Sequence, residues 1–132
     1  MHNPFQAGDT KKFLRKVQAA DTATFDSGEV HPVYATFALA RDAEWSGRLF
    51  VLEMKDEDEE GIGTGIDIRH LSPALVEEEV CFIATLVEVN KNEVVTDFVA
   101  MCGARMIANG RQWQKIVKKQ KLETLFAGLQ NF

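Results

Sequence analysis

Thr36-Phe-Ala-Leu-Ala-Arg-Asp-Ala-Glu-Trp-Ser-Gly-Arg-Leu-Phe-Val-Leu-Glu-Met54 runs through an acidic connector into Gly61-Ile-Gly-Thr-Gly-Ile-Asp-Ile-Arg-His70. The first part reads as a helix that is apolar on most sides, with Phe37, Leu39, Ala43, Trp45, Phe50 and Met54 spread around it. Such a helix is expected to be buried. Pro32 holds His31 extended, so the helix begins after it, and Thr36 is its expected N-cap or first-turn residue. The connector, Lys55-Asp-Glu-Asp-Glu-Glu60, is a solvated stretch. The second part is a strand in which Ile62, Thr64, Ile66, Ile68 and His70 alternate with Gly63, Gly65, Asp67 and Arg69. Ile66, Ile68 and His70 should therefore face the helix, and Asp67 away from it.

Working outward, residues 10–19 suggest a first strand, and residues 20–35, with Asp21, Asp26, Ser27, Gly28 and Pro32, a loop with short extended pieces. After Pro73 the chain is strand on strand. Glu79 to Val89 is apolar on both faces, and Asn90-Lys-Asn92 signals a hairpin. Glu93 to Gly103 and Arg105 to Val117 continue the meander, with a bend or bulge expected at Asn109-Gly110. Lys118 to Leu129 forms a short terminal helix. Strands joined by short turns make an antiparallel sheet. The expected fold is α+β: one domain over residues 1–132, its antiparallel sheet wrapped around a central apolar helix.

A chain of 132 residues with 45% hydrophobic content buries a core without staples. A net charge of −5 argues against nucleic-acid binding, which wants a basic face. No apolar run reaches membrane-spanning length, and the N-terminus lacks a signal-peptide pattern. Cys81 and Cys102 stand in apolar surroundings, as two buried reduced thiols would. A cytoplasmic protein is expected.

Three residues invite chemistry. His70, on the core side of a strand end, is either a general base or a structural histidine. Glu44, between Ala43 and Trp45, is costly to bury unless paired. It is catalytic, neutralised by Arg41 or Arg48, or exposed at a sheet edge. Thr36 is an N-cap or a functional hydroxyl. Eight positions separate Thr36 from Glu44, about 12 Å along a continuous helix, so they cannot touch within it. A shared site needs Thr36 off the helix, a bridging substrate or two chains. The glycines from Gly61 to Gly65 fit neither a P-loop nor a dinucleotide fingerprint, and they mark a bulge or close backbone approach. No metal-binding motif is present.

Val33-Tyr-Ala-Thr36, Ala43-Glu-Trp45 and Ile62-Gly-Thr-Gly-Ile-Asp-Ile-Arg-His70, followed by Leu71-Ser-Pro73, resemble the fluoroacetyl-CoA thioesterase-like family of hot-dog proteins. The resemblance implies a hot-dog fold and acyl-CoA hydrolysis with no cofactor. It implies a homodimer with its site at or near the interface; because Thr36 and Glu44 cannot touch along one helix, catalysis is expected to draw residues from both chains. It places the family's catalytic threonine, glutamate and histidine on Thr36, Glu44 and His70, and its oxyanion glycine on Gly63. The family's lid phenylalanines have no counterpart in Asp26-Ser-Gly-Glu-Val-His-Pro32, so an acyl group other than fluoroacetyl is expected. The alternative is a non-catalytic acyl-CoA-binding protein on the same fold. Arg105, Arg111, Lys115, Lys118, Lys119 and Lys121 gather positive charge near the C-terminus, and Arg111, Lys115, Lys118 and Lys119 are candidates for the CoA phosphates.

Overall fold

The computed structural model describes residues 1–130. The elements are β1 (Thr10–Lys16), a 3-10 turn (Ala19–Asp21), β2 (Thr22–Phe25), β3 (Gly28–Tyr34), α1 (Thr36–Met54), β4 (Glu59–His70), β5 (Glu79–Asn90), β6 (Glu93–Cys102), β7 (Arg105–Lys118) and α2 (Lys119–Leu129). Five strands form one antiparallel sheet in the order β1-β5-β6-β7-β4. α1 lies across it. β2 and β3 pair as a separate hairpin, where the sequence suggested only a loop with extended pieces. Gly28, at φ +108, turns that hairpin, and Pro32 is tolerated because a two-stranded ribbon is all edge.

α1 buries Ala38, Leu39, Ala43, Phe50, Val51 and Met54 against the sheet. The expected burial of the helix holds for one face only. Phe37, Trp45 and Leu52 are exposed, because a single sheet covers one face only. The core face of β5 presents Val80, Phe82, Ala84 and Leu86, all buried, while Cys81, Ile83, Thr85 and Val87 behind them are half-buried. The two cysteines are unpaired and half-buried rather than buried; the Cys102 thiol donates to Glu78 (3.2 Å).

β4 is an edge strand, and its register decides the site. The pairing with β7 is regular from Glu59 to Gly63 and again from Gly65 to His70, with Thr64 inserted as a bulge. Directly paired residues share a face. Gly61 and Gly63 pair with the buried Ile116 and Gln114, and Ile66 and His70 with the buried Gln112 and Ala108. The helix face of β4 therefore carries Gly61, Gly63, Ile66, Ile68 and His70. Unbroken alternation would have put Ile62 there instead. The bulge flips the parity, so Ile62 points outward. The bulge expected at Asn109-Gly110 is absent. That pair runs straight through the β4–β7 ladder, and the irregularity on β7 falls beside Ile107. Gly110 answers a different need: a Cβ there would stand 1.9 Å from the Asp67 carbonyl oxygen and 2.8 Å from the Phe98 ring.

Candidate active site

Thr36 is the first residue of α1, but the N-cap is Ala35 and no side chain caps the helix. The Thr36 hydroxyl instead meets His70 Nδ1 at 2.9 Å. A threonine spent on a strand histidine rather than on its own helix is the least expected feature of the site. The ends of both elements are pinned. Ala35 N–H donates to the Asp21 carbonyl and Tyr34 N–H to that of Ala74, both at 2.8 Å. Just past His70, the N–H groups of Leu71 and Ser72 converge on the Ile107 carbonyl at 2.7 and 3.1 Å. His70 Nε2 is buried with no hydrogen-bond partner among the described residues. Burial, opposed by the Ser72 main chain, holds the imidazole pKa below its ordinary value of 6.5. A neutral ring at neutral pH is what a base requires.

Glu44 and Gly63 form a second pair. A Cβ on Gly63 would lie 1.9 Å from Glu44 Oε1, so the carboxylate rests directly on the glycine backbone. Glu44 is exposed and unburdened by the desolvation that its apolar neighbours suggested. Neither expected neutraliser reaches it: Arg48 binds Glu60 (2.7 Å), and Arg41 binds Asp21 and Asp42 (3.0 Å each). Its main chain is held instead. Gln114 donates to the Glu44 carbonyl (3.2 Å) and to Gln112 Oε1 (2.8 Å), and Gln112 donates to the Ala43 carbonyl (2.6 Å). Gly47 makes room for this glutamine ladder, since a Cβ there would stand 2.2 Å from Gln112 Nε2.

A third group, missed in the sequence, locks the start of α1. Asp42 is 1% exposed. It accepts from Tyr34 OH, from Arg15 (3.0 Å) and from Arg41 through two nitrogens (3.0 Å each). Arg41 also donates to the buried Asp21. Burial, reinforced by the Asp42 carboxylate, pushes the Tyr34 phenol far above its usual range. Asp42 sits two residues from Glu44 and four from Ala38, and its only sequence signal is a charge on the apolar side of the helix.

The structure thus brings Thr36 to His70 and Glu44 to Gly63, and keeps the two pairs apart. α1 is continuous, so they remain about 12 Å apart along its axis. The option that Thr36 lies off the helix is closed. The basic residues do not form one patch. Arg111 is clamped on Asp97 (2.6 and 3.1 Å) beside Asp67, on the sheet face opposite α1. Arg105 binds Glu78 at another corner. Lys118 pairs with Asp58 (3.0 Å). Lys115 and Lys119 are exposed and make no ion pair among the described residues.

Solved structures share this architecture over nearly the full chain. A hypothetical protein of Thermus thermophilus, described as a thioesterase superfamily member, is 35% identical, with TM-score 0.92 over 97% of this chain and 95% of its own. A hot-dog-like protein from Thermanaerovibrio acidaminovorans is 22% identical, with TM-score 0.85 over 94% and 92%. The fluoroacetyl-CoA thioesterase FlK is 17% identical, with TM-score 0.88 over 96% and 98%. No curated protein gives a match. The model of the fluoroacetyl-CoA-specific thioesterase family matches residues 17–120, a span that holds Thr36, Glu44, Gly63 and His70. With the hot-dog sheet and helix around those residues, the chain belongs to the fluoroacetyl-CoA-specific thioesterase family.

Proposed function

We propose that this thioesterase hydrolyses a small acyl-CoA at a composite site. Thr36 and His70 of one subunit would face Glu44 and Gly63 of the other. The observation that carries the reading is the Thr36–His70 hydrogen bond at 2.9 Å, with the imidazole kept neutral by burial. With Nε2 carrying the ring proton, Nδ1 accepts the Thr36 proton as the hydroxyl oxygen attacks the thioester carbon. The electron pair of the C–S bond leaves with sulfur, which takes the proton back as CoA thiol. Water then cleaves the threonyl ester. In the shorter route Thr36 only holds a water that His70 deprotonates. Accumulation of an acyl adduct on Thr36 in acid-quenched enzyme separates the two. Glu44 orients water or the histidine's partner, and the main chain of the edge strand at Gly63 offers an N–H to the oxyanion.

The reading needs a dimer, and two features favour one: among the described residues the edge of β4 is unpaired, and α1 has an uncovered apolar side. Antiparallel pairing of two β4 edges across a two-fold axis continues the sheet. It brings Glu44–Gly63 of one chain towards Thr36–His70 of the other. The acyl group is not fluoroacetyl in this reading. Phe25 and Phe37 pack edge to face with ring centres 5.7 Å apart, and no phenylalanine lies between Asp26 and Pro32. Two unpaired thiols agree with a cytoplasmic location. The test is release of CoA thiol from short, branched and aromatic acyl-CoAs. Steady turnover lost in His70→Ala supports the enzyme. Stoichiometric binding without turnover supports a non-catalytic acyl-CoA-binding protein.

A further inference from the structure

α1 begins without a side-chain cap, and the Thr36 hydroxyl is spent on His70. The direction in which the chain enters the helix is therefore set by other groups. Tyr34 stands just before the N-cap residue Ala35, where a side chain packed on the fourth helical residue fixes the entry angle. Tyr34 and Leu39, that fourth residue, are buried in one cluster. Tyr34 adds what an apolar residue cannot: its hydroxyl donates to Asp42. The main chain is tied on both sides, Tyr34 N–H to Ala74 and Ala35 N–H to Asp21. Arg41 then joins Asp21 to Asp42, at 3.0 Å each. Asp21, Ala35, Tyr34, Asp42 and Arg41 thus form a closed ring immediately ahead of Thr36.

Stability alone does not call for such a ring. Asp42 is buried, and a buried carboxylate with its partners often stabilises no more than apolar side chains of the same volume. What it adds is direction. A hydrogen bond weakens steeply away from its line, whereas apolar contact is non-directional. Burial and the Asp42 carboxylate hold the Tyr34 phenol far above its usual range, so the donor keeps its proton. Asp42 lies six positions beyond Thr36, about 9 Å along the axis. It can act on the Thr36 hydroxyl only through Tyr34.

We propose that the Tyr34–Asp42 hydrogen bond is a strut that sets the entry of α1 and so holds the Thr36 hydroxyl on His70 Nδ1, making Tyr34 and Asp42 positioning residues of the site. The inference rests on the reading of Thr36 and His70 as the reacting pair. A reacting group misplaced by about 1 Å costs about a hundredfold in rate.

Tyr34→Phe keeps the ring and deletes the strut. Its kcat for CoA thiol release should fall about tenfold or more, with KM within about twofold of wild type. The second readout needs no substrate. In protein labelled with nitrogen-15 histidine, at a pH where imidazole is neutral, the His70 Nδ1 resonance is assigned by its loss in His70→Ala. In Tyr34→Phe it should move towards its position in Thr36→Ala, where the donor is gone. Asp42→Ala, which removes the acceptor, should move it the same way. Met54→Ala, buried at the far end of α1, is the control: it should lower the urea midpoint and leave kcat and the resonance in place. A resonance at the wild-type position in Tyr34→Phe overturns the strut, whatever happens to turnover. So does an equal loss of kcat in Met54→Ala at the same drop in midpoint. If the wild type releases thiol from no acyl-CoA, the hydrolase reading falls, and the resonance alone still decides the strut.

Discussion

In the proposed mechanism His70 meets two demands that pull against each other. It must be near enough to Thr36 to share a proton, and it must stay neutral to accept one. Its place at the end of β4, against α1, supplies both: the hydroxyl at 2.9 Å and the desolvation that lowers its pKa. Two consequences follow in pH. The rate limb that needs neutral imidazole should inflect below 6.5, and His70→Ala should abolish turnover. For stability, the unfolded chain takes up the proton at a higher pH than the folded one. His70 therefore lowers stability as pH falls from 6.5 towards its folded pKa, and has no such effect above 6.5. Chemical denaturation of wild type and His70→Ala across that interval checks the sign. An acid limb above 6.5 in wild type would contradict it. For Glu44, exposed as it is, Glu44→Gln should leave the unfolding midpoint unchanged while turnover falls about a hundredfold or more. Turnover equal to wild type would leave Glu44 a surface carboxylate.

Among the elements, β4 and α1 are fitted to each other by absences. Gly63 has no side chain where Glu44 rests, and Gly47 none where Gln112 crosses. The same substitution tests them in opposite ways. Gly63→Ala lies on an exposed edge and displaces only a carboxylate that can swing outward, so stability should change by less than about 0.5 kcal/mol. Turnover should fall tenfold or more, and mainly in kcat. Gly47→Ala drives a methyl into buried groups at 2.2 to 2.6 Å and should cost about 1–3 kcal/mol in urea unfolding. Equal stability losses in the two variants would refute the assignment of one glycine to the site and the other to packing. Asp42 belongs at this scale too. Asp42→Asn keeps the shape but removes the charge that holds two guanidiniums and the Tyr34 hydroxyl. Both arginines reach solvent, so the expected loss is about 2 kcal/mol, below the range for a fully enclosed pair.

For the whole molecule, the question is where one complete site comes from. Thr36 and His70 are joined within one chain, so mixing Thr36→Ala with His70→Ala protein should restore nothing, because every site keeps one defect. Mixing Thr36→Ala with Glu44→Gln is the informative experiment. If the pairs are contributed by different subunits, one site in each mixed dimer regains all its residues, and the thiol-release rate should recover to roughly half that of wild type in those dimers. No recovery, with subunit exchange shown independently by mass, would place both pairs in the site of a single chain.

The residues themselves determined the outline: a helix from Thr36 to Met54, a glycine-rich strand ending at His70 and a meander after Pro73, and they named the four candidate site residues. Each of these is written in local period, in turn chemistry or in a motif. Three things only the tertiary structure decided. The bulge at Thr64 is invisible to alternation, since an inserted residue leaves the string of apolar side chains looking regular while it exchanges their faces. The pairing of Thr36 with His70, thirty-four positions apart, depends on how α1 crosses β4. The burial of Asp42 shows in sequence only as a charge on the apolar side of the helix, because the arginines and tyrosine that satisfy it come from β1, β3 and α1 and meet only when the sheet closes under the helix. Local order follows from neighbours along the chain, whereas a site is made by residues that only packing makes neighbours.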